Sequence, residues 1–208
     1  MSRNSPDTSL RIFSSIEHYG LDITRAVLSG GTSLSAYLKA FGVDLFLSAN
    51  EGDVKDAINS GFAAGRIYTN TIYDFDPMKE LKQIRIAFDG DAVLFSDEAE
   101  RIFQKDGLEA FVENEKQNAR KELPEGPFAK FLKTISDLQK RFEPESSPIR
   151  TALVTARNAP AHERVVRTLR AWDVRIDEAF FLGGISKTEV LKACLLYTSP
   201  SPRDVEES

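Results

Sequence analysis

Cysteine, histidine and long apolar runs are scarce in this sequence. Its single cysteine, Cys194, cannot form an intramolecular disulfide or a cysteine-rich metal site, and this composition fits a reducing compartment. His18 and His162 have no second histidine or cysteine at ligand spacing, which argues against a zinc site. The first residues are polar, and no apolar run approaches the roughly 20 residues of a membrane helix. We therefore expect no membrane span and a cytoplasmic location.

An excess of basic charge is also lacking. The 27 Lys and Arg residues face 32 Asp and Glu residues, a net charge of -5, so neither a nucleic acid nor an anionic membrane is an expected partner. The 208 residues are 41% hydrophobic and 28% charged, which is ordinary for a globular protein and long enough for one large or two small domains. The composition leaves the oligomeric state open.

An internal repeat organises the chain. The segment S-R-N-S-P at residues 2–6 returns as A-R-N-A-P at residues 156–160, and L-S-G-G-T-S-L-S at residues 28–35 returns as F-L-G-G-I-S-K-T at residues 181–188. Short helical and strand patterns alternate in both copies, which indicates an α/β fold with a mostly parallel sheet. We predict a degenerate α/β repeat over residues 1–78, whose role is structural or substrate-shaping because Leu34 replaces the Lys187 of the second copy.

A polar, helix-rich stretch separates the two copies. It includes apolar residues at helical spacing, which predict an amphipathic helix carrying Phe128, Phe131, Leu132, Ile135 and Leu138. The L-P-E-G-P break at residues 123–127 separates this helix from an earlier one. We interpret the aromatic stripe as core packing rather than a base-stacking surface, and residues 96–145, approximately, as a helical insertion over the sheet.

Two carboxylates follow a buried strand predicted at residues 84–88. Asp89 and Asp91 lie in F-D-G-D-A-V, at the carboxyl edge of the sheet where open α/β folds place ligand sites. Gly90 between them lets the backbone approach a ligand closely. Taken alone, the motif is equally compatible with an acidic turn that caps the helix beginning near Ser96.

Two later residues favour a phosphate site. Thr155 ends another buried strand, where turn amides lie beside its hydroxyl, and Lys187 lies in a glycine-rich turn that opens a helix. Singly, a turn-forming threonine and a solvated surface lysine remain alternatives. The order of the acidic motif, the threonine and the lysine along the chain makes the ligand site the stronger interpretation.

This ordered set resembles the haloacid dehalogenase superfamily of phosphotransferases. The chain is more closely similar to the cytosolic 5′-nucleotidase family, which acts on AMP and related nucleotides, in F-D-G-D-A-V-L-F-S-D-E, T-A-R-N-A-P-A-H-E-R and L-R-A-W-D-V-R-I-D-E-A-F-F-L-G-G. With S-R-N-S-P-D-T and S-I-E-H-Y-G-L-D-I-T-R, the likeness covers residues 2–193. It implies a Rossmann-like α/β fold with a small helical cap, and a catalytic unit over residues 82–193.

The resemblance also implies roles for individual residues. Asp89 would be the nucleophile that accepts the phosphoryl group, and Asp91 would protonate the leaving ribose 5′-oxygen and then activate water. Mg²⁺ would bind Asp89, the carbonyl of Asp91 and a further acid from a later strand. The phosphoryl oxygens would be held by Gly90, Thr155, Ala156 and Lys187. The implied activity is Mg²⁺-dependent hydrolysis of nucleoside 5′-monophosphates.

The pattern breaks after residue 193. The repeat predicts a buried strand there, but Pro200 and Pro202 are incompatible with a central strand. The string C-L-L-Y-T-S-P-S-P-R-D looks like a translated sequencing adapter, so we expect residues 194–208 to be a non-native tail and the chain to be truncated at both ends. Because the family's last acidic pair would be missing, a non-catalytic fragment remains an alternative, as does a phosphatase for another small phosphate ester.

Overall fold

Helices and strands alternate along the chain, as the repeat predicts. The structure, a computed structural model, describes residues 1–68, 83–157 and 161–193. The predicted boundary near residues 78–82, residues 158–160 of the second R-N-x-P element and the tail 194–208 lie outside these ranges. The backbone divides into two units, Met1–Thr69 and Asn70–Ser208, which are described separately.

The first unit packs small α/β elements around its own apolar core. Residues 1–68 form α1 (Ser9–His18), α2 (Ser35–Leu38), β1 (Phe46–Ser48), α3 (Glu51–Asn59) and β2 (Ala64–Arg66). The two strands pair in parallel, with Phe46 opposite Ala64. The side chain of Asn50 caps α3 by accepting the amide of Asp53 at 3.1 Å. The core of this unit contains Leu34, Leu38, Phe46, Val54, Ala57 and Ala64.

The second unit is built on a parallel sheet. Its described strands are β3 (Ile84–Asp89), β4 (Ile149–Thr155) and β5 (Glu178–Phe181), in the order β3-β4-β5. Asp89 lies opposite Val154, and Thr155 lies opposite Phe181. The carboxyl ends of these strands therefore meet at one edge of the sheet. The predicted α/β class with parallel strands is confirmed, and it is consistent with a Rossmann-like fold of the haloacid dehalogenase type.

The prediction of a uniformly buried first strand is wrong for β3. Ile84 is 56% exposed, whereas the last four residues of β3 are buried or half-buried. Every residue of β4 from Thr151 to Thr155 is buried. The difference follows from position, because β4 has partners on both sides while β3 is terminal among the described strands.

In the described part of the second unit, the α-helices are α4 (Glu98–Gln117), α5 (Ala129–Gln139), α6 (His162–Ala171) and α7 (Lys187–Ala193). The predicted aromatic stripe lies on α5 and immediately before it, and it packs in the core: Leu132 is fully buried, and the Phe131 ring lies 6.0 Å from that of Phe88. Leu138 is the exception and is partly exposed. The extent of the cap stays a prediction. Across the described ranges, no helix is both long and apolar enough to span a bilayer.

Candidate active site

The site forms where the chain leaves β3. Asp89 is the last residue of that strand, and a wide turn, Gly90–Leu94, follows it. The turn is closed by the amide of Phe95, which donates to the carbonyl of Gly90 at 3.0 Å. Ala92 within the turn has φ 60, a left-handed conformation that is uncommon for a residue with a Cβ. The turn therefore holds Asp91 at the sheet edge in a constrained backbone.

Lys187 returns to the same edge from α7. Its Nζ donates to Oδ2 of Asp89 at 2.6 Å, while the amide of Gly90 donates to Oδ1 at 2.7 Å. Both side chains are partly exposed. The structure thus brings together an acid and a base that lie 98 positions apart in the sequence.

Thr155 and Gly90 are neighbours at the ends of β3 and β4. The Thr155 side chain is fully buried, and its Oγ1 accepts the amide of Arg157 at 3.2 Å. A Cβ placed on Gly90 would come within 3.0 Å of both Cβ and Oγ1 of Thr155. The two strand ends therefore pack closely at Gly90, where a larger residue would press on the Thr155 side chain. Ala156 is exposed and lines the cavity described next.

A cavity of about 450 Å³ opens at this edge. The charged groups of Asp89, Asp91 and Lys187 line it. The helix α4 contributes an aromatic wall of two rings, Phe103 and Phe111, whose centroids are 6.4 Å apart at 87°. The remaining lining residues are Ala99, Glu100, Leu108, Ala156, Arg157 and Gly184. The cavity therefore combines charged groups, among them a cation suited to an anionic ligand, with an aromatic wall.

Sequence reasoning missed Arg157. Its side chain is 2% exposed, and its Nε lies 3.0 Å from both carboxylate oxygens of Asp91, while Nη2 lies 2.6 Å from Oδ1. Burial alone would lower the pKa of Arg157, but the hydrogen bonds and charges of Asp91 and Glu115 outweigh it and raise that pKa above its ordinary value. The available signal was the repeated R-N-x-P element, which contains this arginine.

Glu115 was also missed. This α4 residue is fully buried at its side chain and accepts Nη1 of Arg157 at 2.8 Å on Oε2. Its other oxygen accepts Nη1 of Arg164, from α6, at 3.0 Å. Charges of alternating sign therefore connect Asp91 to two helices. No spacing rule in the sequence links these positions, because each contact joins separate elements.

The donor set at the sheet edge fits a partial Mg²⁺ site. Mg²⁺ prefers oxygen ligands and is usually held by one or two carboxylates, with waters and substrate phosphate completing the shell. Asp89 offers a partly exposed carboxylate at the cavity. The backbone carbonyl of Asp91 belongs to the turn that follows, two positions along the chain. Within the described ranges, no group of three or more histidine, cysteine or acidic side chains is arranged for a metal.

The geometry defines a class of protein. The chain is an α/β protein whose parallel strands deliver carboxylates to one edge of the sheet, where a lysine from a later helix meets the first of them. This arrangement is consistent with the haloacid dehalogenase superfamily that the sequence motifs indicate.

Comparison with known proteins then gives the family. The model of the family described as 5′-nucleotidase matches residues 1–195, and the chain belongs to that family. The chain is also 40% identical over 200 residues to "Cytosolic 5'-nucleotidase 1B" of Homo sapiens. That match covers 92% of this chain and 32% of the relative, so the chain spans about a third of the relative's length. No solved structure matches the chain.

Proposed function

We propose that this chain carries a 5′-nucleotidase site that hydrolyses nucleoside 5′-monophosphates such as AMP. The supporting observation is the cavity at the carboxyl edge of the second sheet, which is lined by Asp89 and Lys187 and by an aromatic wall. Membership of the 5′-nucleotidase family supports the reaction type. The relative's name includes "cytosolic", which supports a cytoplasmic location for this chain as well.

Asp89 is suited to the role of nucleophile. Its carboxylate lines the cavity and accepts a hydrogen bond from Nζ of Lys187. In the proposed first step, a carboxylate oxygen of Asp89 bonds to phosphorus while the bond between phosphorus and the ribose 5′-oxygen breaks. Asp91, which enters this step in its protonated form, donates its proton to that departing oxygen. The products of this step are the nucleoside and an aspartyl-phosphate.

The second step restores the enzyme. Asp91, now a carboxylate, accepts a proton from water as the water oxygen attacks phosphorus, and the bond to the Asp89 oxygen breaks. Inorganic phosphate leaves. One carboxyl group therefore serves as acid and then as base, and each proton is accounted for.

Several groups at the strand ends would bind the phosphoryl oxygens. Lys187 would move its ammonium group from Asp89 to a phosphoryl oxygen, because a phosphate group has more negative charge than one carboxylate. Ala156 lines the cavity, where its backbone amide could donate to an anion. The amide of Gly90, which donates to Oδ1 of Asp89 in this structure, would turn to a phosphoryl oxygen. Thr155, buried at the end of β4 beside Gly90, would contribute its hydroxyl.

Mg²⁺ would be held by the Asp89 carboxylate and the Asp91 carbonyl. When bound, it would offset negative charge on the transferring phosphoryl group. The resemblance implies this ion, and the oxygen donors of the turn after β3 support it.

The aromatic wall fits a nucleoside. Phe103 and Leu108 expose apolar surface on α4, and Phe111 lines the same cavity beside the Arg157 guanidinium. Aromatic rings bind nucleobases by stacking, which contributes about 1–3 kcal/mol per base. The cavity of about 450 Å³ is within the usual range of roughly 300–1,000 Å³ for small-molecule sites. A free sugar phosphate would leave this wall uncovered.

Phosphate release measures the proposed activity directly. The 208-residue chain is incubated with AMP and Mg²⁺, and in parallel with ribose 5-phosphate. We expect AMP to be preferred, and Asp89→Asn to abolish turnover. The matched control is Asp97→Asn, which changes an exposed acid eight positions along the chain that pairs with Arg101. Equal use of the two substrates would contradict nucleoside selectivity, and turnover by Asp89→Asn would contradict the role of Asp89.

A further inference from the structure

Asp91 differs from Asp89 in what holds it. The Asp89 carboxylate is held by a partly exposed lysine and by its neighbour's amide. The Asp91 carboxylate is instead held by the guanidinium of Arg157, which reaches both oxygens and is itself almost fully buried. A guanidinium fork fixes the plane of a carboxylate as well as its position, which a single ammonium contact does not.

Arg157 is in turn fixed from α4. Its Nη1 donates to Glu115, whose side chain is fully buried in the second half of that helix. Arg164 holds the other oxygen of Glu115 and also donates through Nε to the carbonyl of Lys121 at 3.0 Å. The guanidinium of Arg157 therefore has no freedom to turn without breaking buried charged hydrogen bonds.

The same half of α4 forms part of the cavity wall. Phe111, four positions before Glu115, lies against the Arg157 guanidinium, with 5.8 Å between the guanidinium carbon and the ring centroid. A helix that contacts the substrate side of the cavity thus also sets the place of Arg157. The orientation of the Asp91 carboxyl group therefore depends, through Arg157, on the position of α4.

We propose that Arg157 is a positioning residue, which Glu115 holds in place, and that it aims the Asp91 carboxyl group at the leaving oxygen. This proposal rests on the proposed function, because it concerns the proton that Asp91 delivers. A buried ion cluster that serves stability alone is the competing explanation. The two explanations differ in how the defect of a variant depends on the leaving group.

The test compares a poor leaving group with a good one. The nucleoside of AMP leaves as an alkoxide unless it is protonated, whereas p-nitrophenolate needs little help from an acid. Values of kcat/KM for AMP and for p-nitrophenyl phosphate are measured for the wild-type chain, Arg157→Lys and Glu115→Gln. Both substitutions keep most of the side-chain volume, and Arg157→Lys also keeps the charge.

We expect both variants to lower kcat/KM for AMP by about 10- to 100-fold, the usual effect of a misplaced catalytic group. For p-nitrophenyl phosphate the loss is less than about threefold, because proton donation contributes little there. Inhibition by inorganic phosphate is unchanged. The control Arg175→Lys alters a similar two-bond contact, to Asp177 at the amino end of β5, and leaves both substrates unaffected.

Equal losses on the two substrates, or no loss on either, would overturn the positioning role. Thermal melting of each variant identifies a folding defect, which would lower both activities alike.

If the wild-type chain hydrolyses p-nitrophenyl phosphate but not AMP, the proposed nucleotidase function fails. Phenyl phosphate then replaces AMP as the substrate with the poor leaving group. If it hydrolyses none of them, the ¹³C signal of the Asp91 carboxyl carbon is compared between wild type and Glu115→Gln; an unchanged signal would overturn the coupling.

Discussion

The two copies of the repeat contain the same glycine turn but use it differently. Gly30 and Gly31 have φ values of 58 and 95, and Gly183 and Gly184 have 56 and 97. Each pair therefore adopts the same left-handed backbone, which residues with a Cβ rarely adopt. Three positions after the second glycine, the first copy has Leu34 in an apolar core, and the second has Lys187 bonded to Asp89. The backbone of the turn is common to both copies. The side chain three positions later packs in the core of the first copy and contacts the candidate active site in the second.

The helices that precede these turns differ in burial. Leu10 and Phe13 of α1 are 78% and 48% exposed, although they follow helical apolar spacing. In α6 the corresponding apolar residues include Val165, which is fully buried in the core of the second sheet. An amphipathic pattern thus predicts a helix correctly in both copies, but it does not predict how much of the apolar face the surrounding structure covers.

Exchanging the residue three positions after the second glycine tests most strongly whether this side chain separates the catalytic copy from the packing copy. Lys187→Leu gives the second copy the side chain of the first. We expect kcat for AMP to fall by about 100- to 1,000-fold, because a cation facing the phosphoryl group is lost. The folded state is retained, since the lysine side chain is partly exposed. Steady-state kinetics and circular dichroism measure the two effects, with the exposed Lys55→Leu as the control; full activity would remove Lys187 from the site.

The reverse exchange tests whether the residue at this position in the first copy stabilises the apolar core. Leu34→Lys places an ammonium group in the core of the first unit, where the leucine is buried. We expect a loss of about 4 kcal/mol in the free energy of unfolding of that unit, because an unpaired charge is costly to bury. Urea unfolding measures this loss, and Leu34→Met is the volume-matched control. A stability equal to wild type would mean that the lysine reaches solvent and that Leu34 is not a core residue.

Truncating one leucine in α6 and one in α1 measures how much the burial of each helix contributes to stability. Leu169→Ala in α6 is expected to cost about 3 kcal/mol, because it opens a cavity beside the second sheet. Leu10→Ala in α1 is expected to change the free energy of unfolding by less than about 0.5 kcal/mol. Both values come from urea unfolding of the 208-residue chain. Comparable costs at the two positions would show that α1 is covered in the folded protein.

The smallest expected effect concerns the turn itself. Gly31→Ala and Gly184→Ala each force alanine into a left-handed conformation, and nothing lies within 4 Å of the added Cβ at either site. We expect both substitutions to cost about 1 kcal/mol, and by equal amounts, because the strain is confined to the backbone. Thermal melts of the two variants provide the comparison. A clear inequality would mean that the turns are not equivalent.

The positions of β3, of β4 and of the first acidic motif could be predicted from the sequence, because each depends on neighbouring residues. Asp89 is found where the motif places it, at the end of β3, and Phe131 packs in the core as the helical spacing indicates. The exposure of Ile84 could not be predicted, since it depends on which strand lies at the end of the sheet.

The contacts that join Asp91 to Arg157 and Arg157 to Glu115 could not be predicted for a related reason, although the R-N-x-P repeat marks Arg157 itself. Arg157 lies 66 positions away in the chain, and Glu115 lies 42 positions from Arg157. Neither pair belongs to one helix or one strand, so no periodicity connects them. A buried ion network becomes visible only after the elements have been packed together.

The most direct test of the account asks whether Asp89 receives the phosphoryl group. The 208-residue chain is mixed with Mg²⁺ and AMP carrying a labelled phosphate, quenched in acid, digested and examined by mass spectrometry. The account predicts labelled phosphate on the peptide containing Asp89, and none in the Asp89→Asn variant. Hydrolysis of AMP without label on that peptide, or label on another residue, would contradict it.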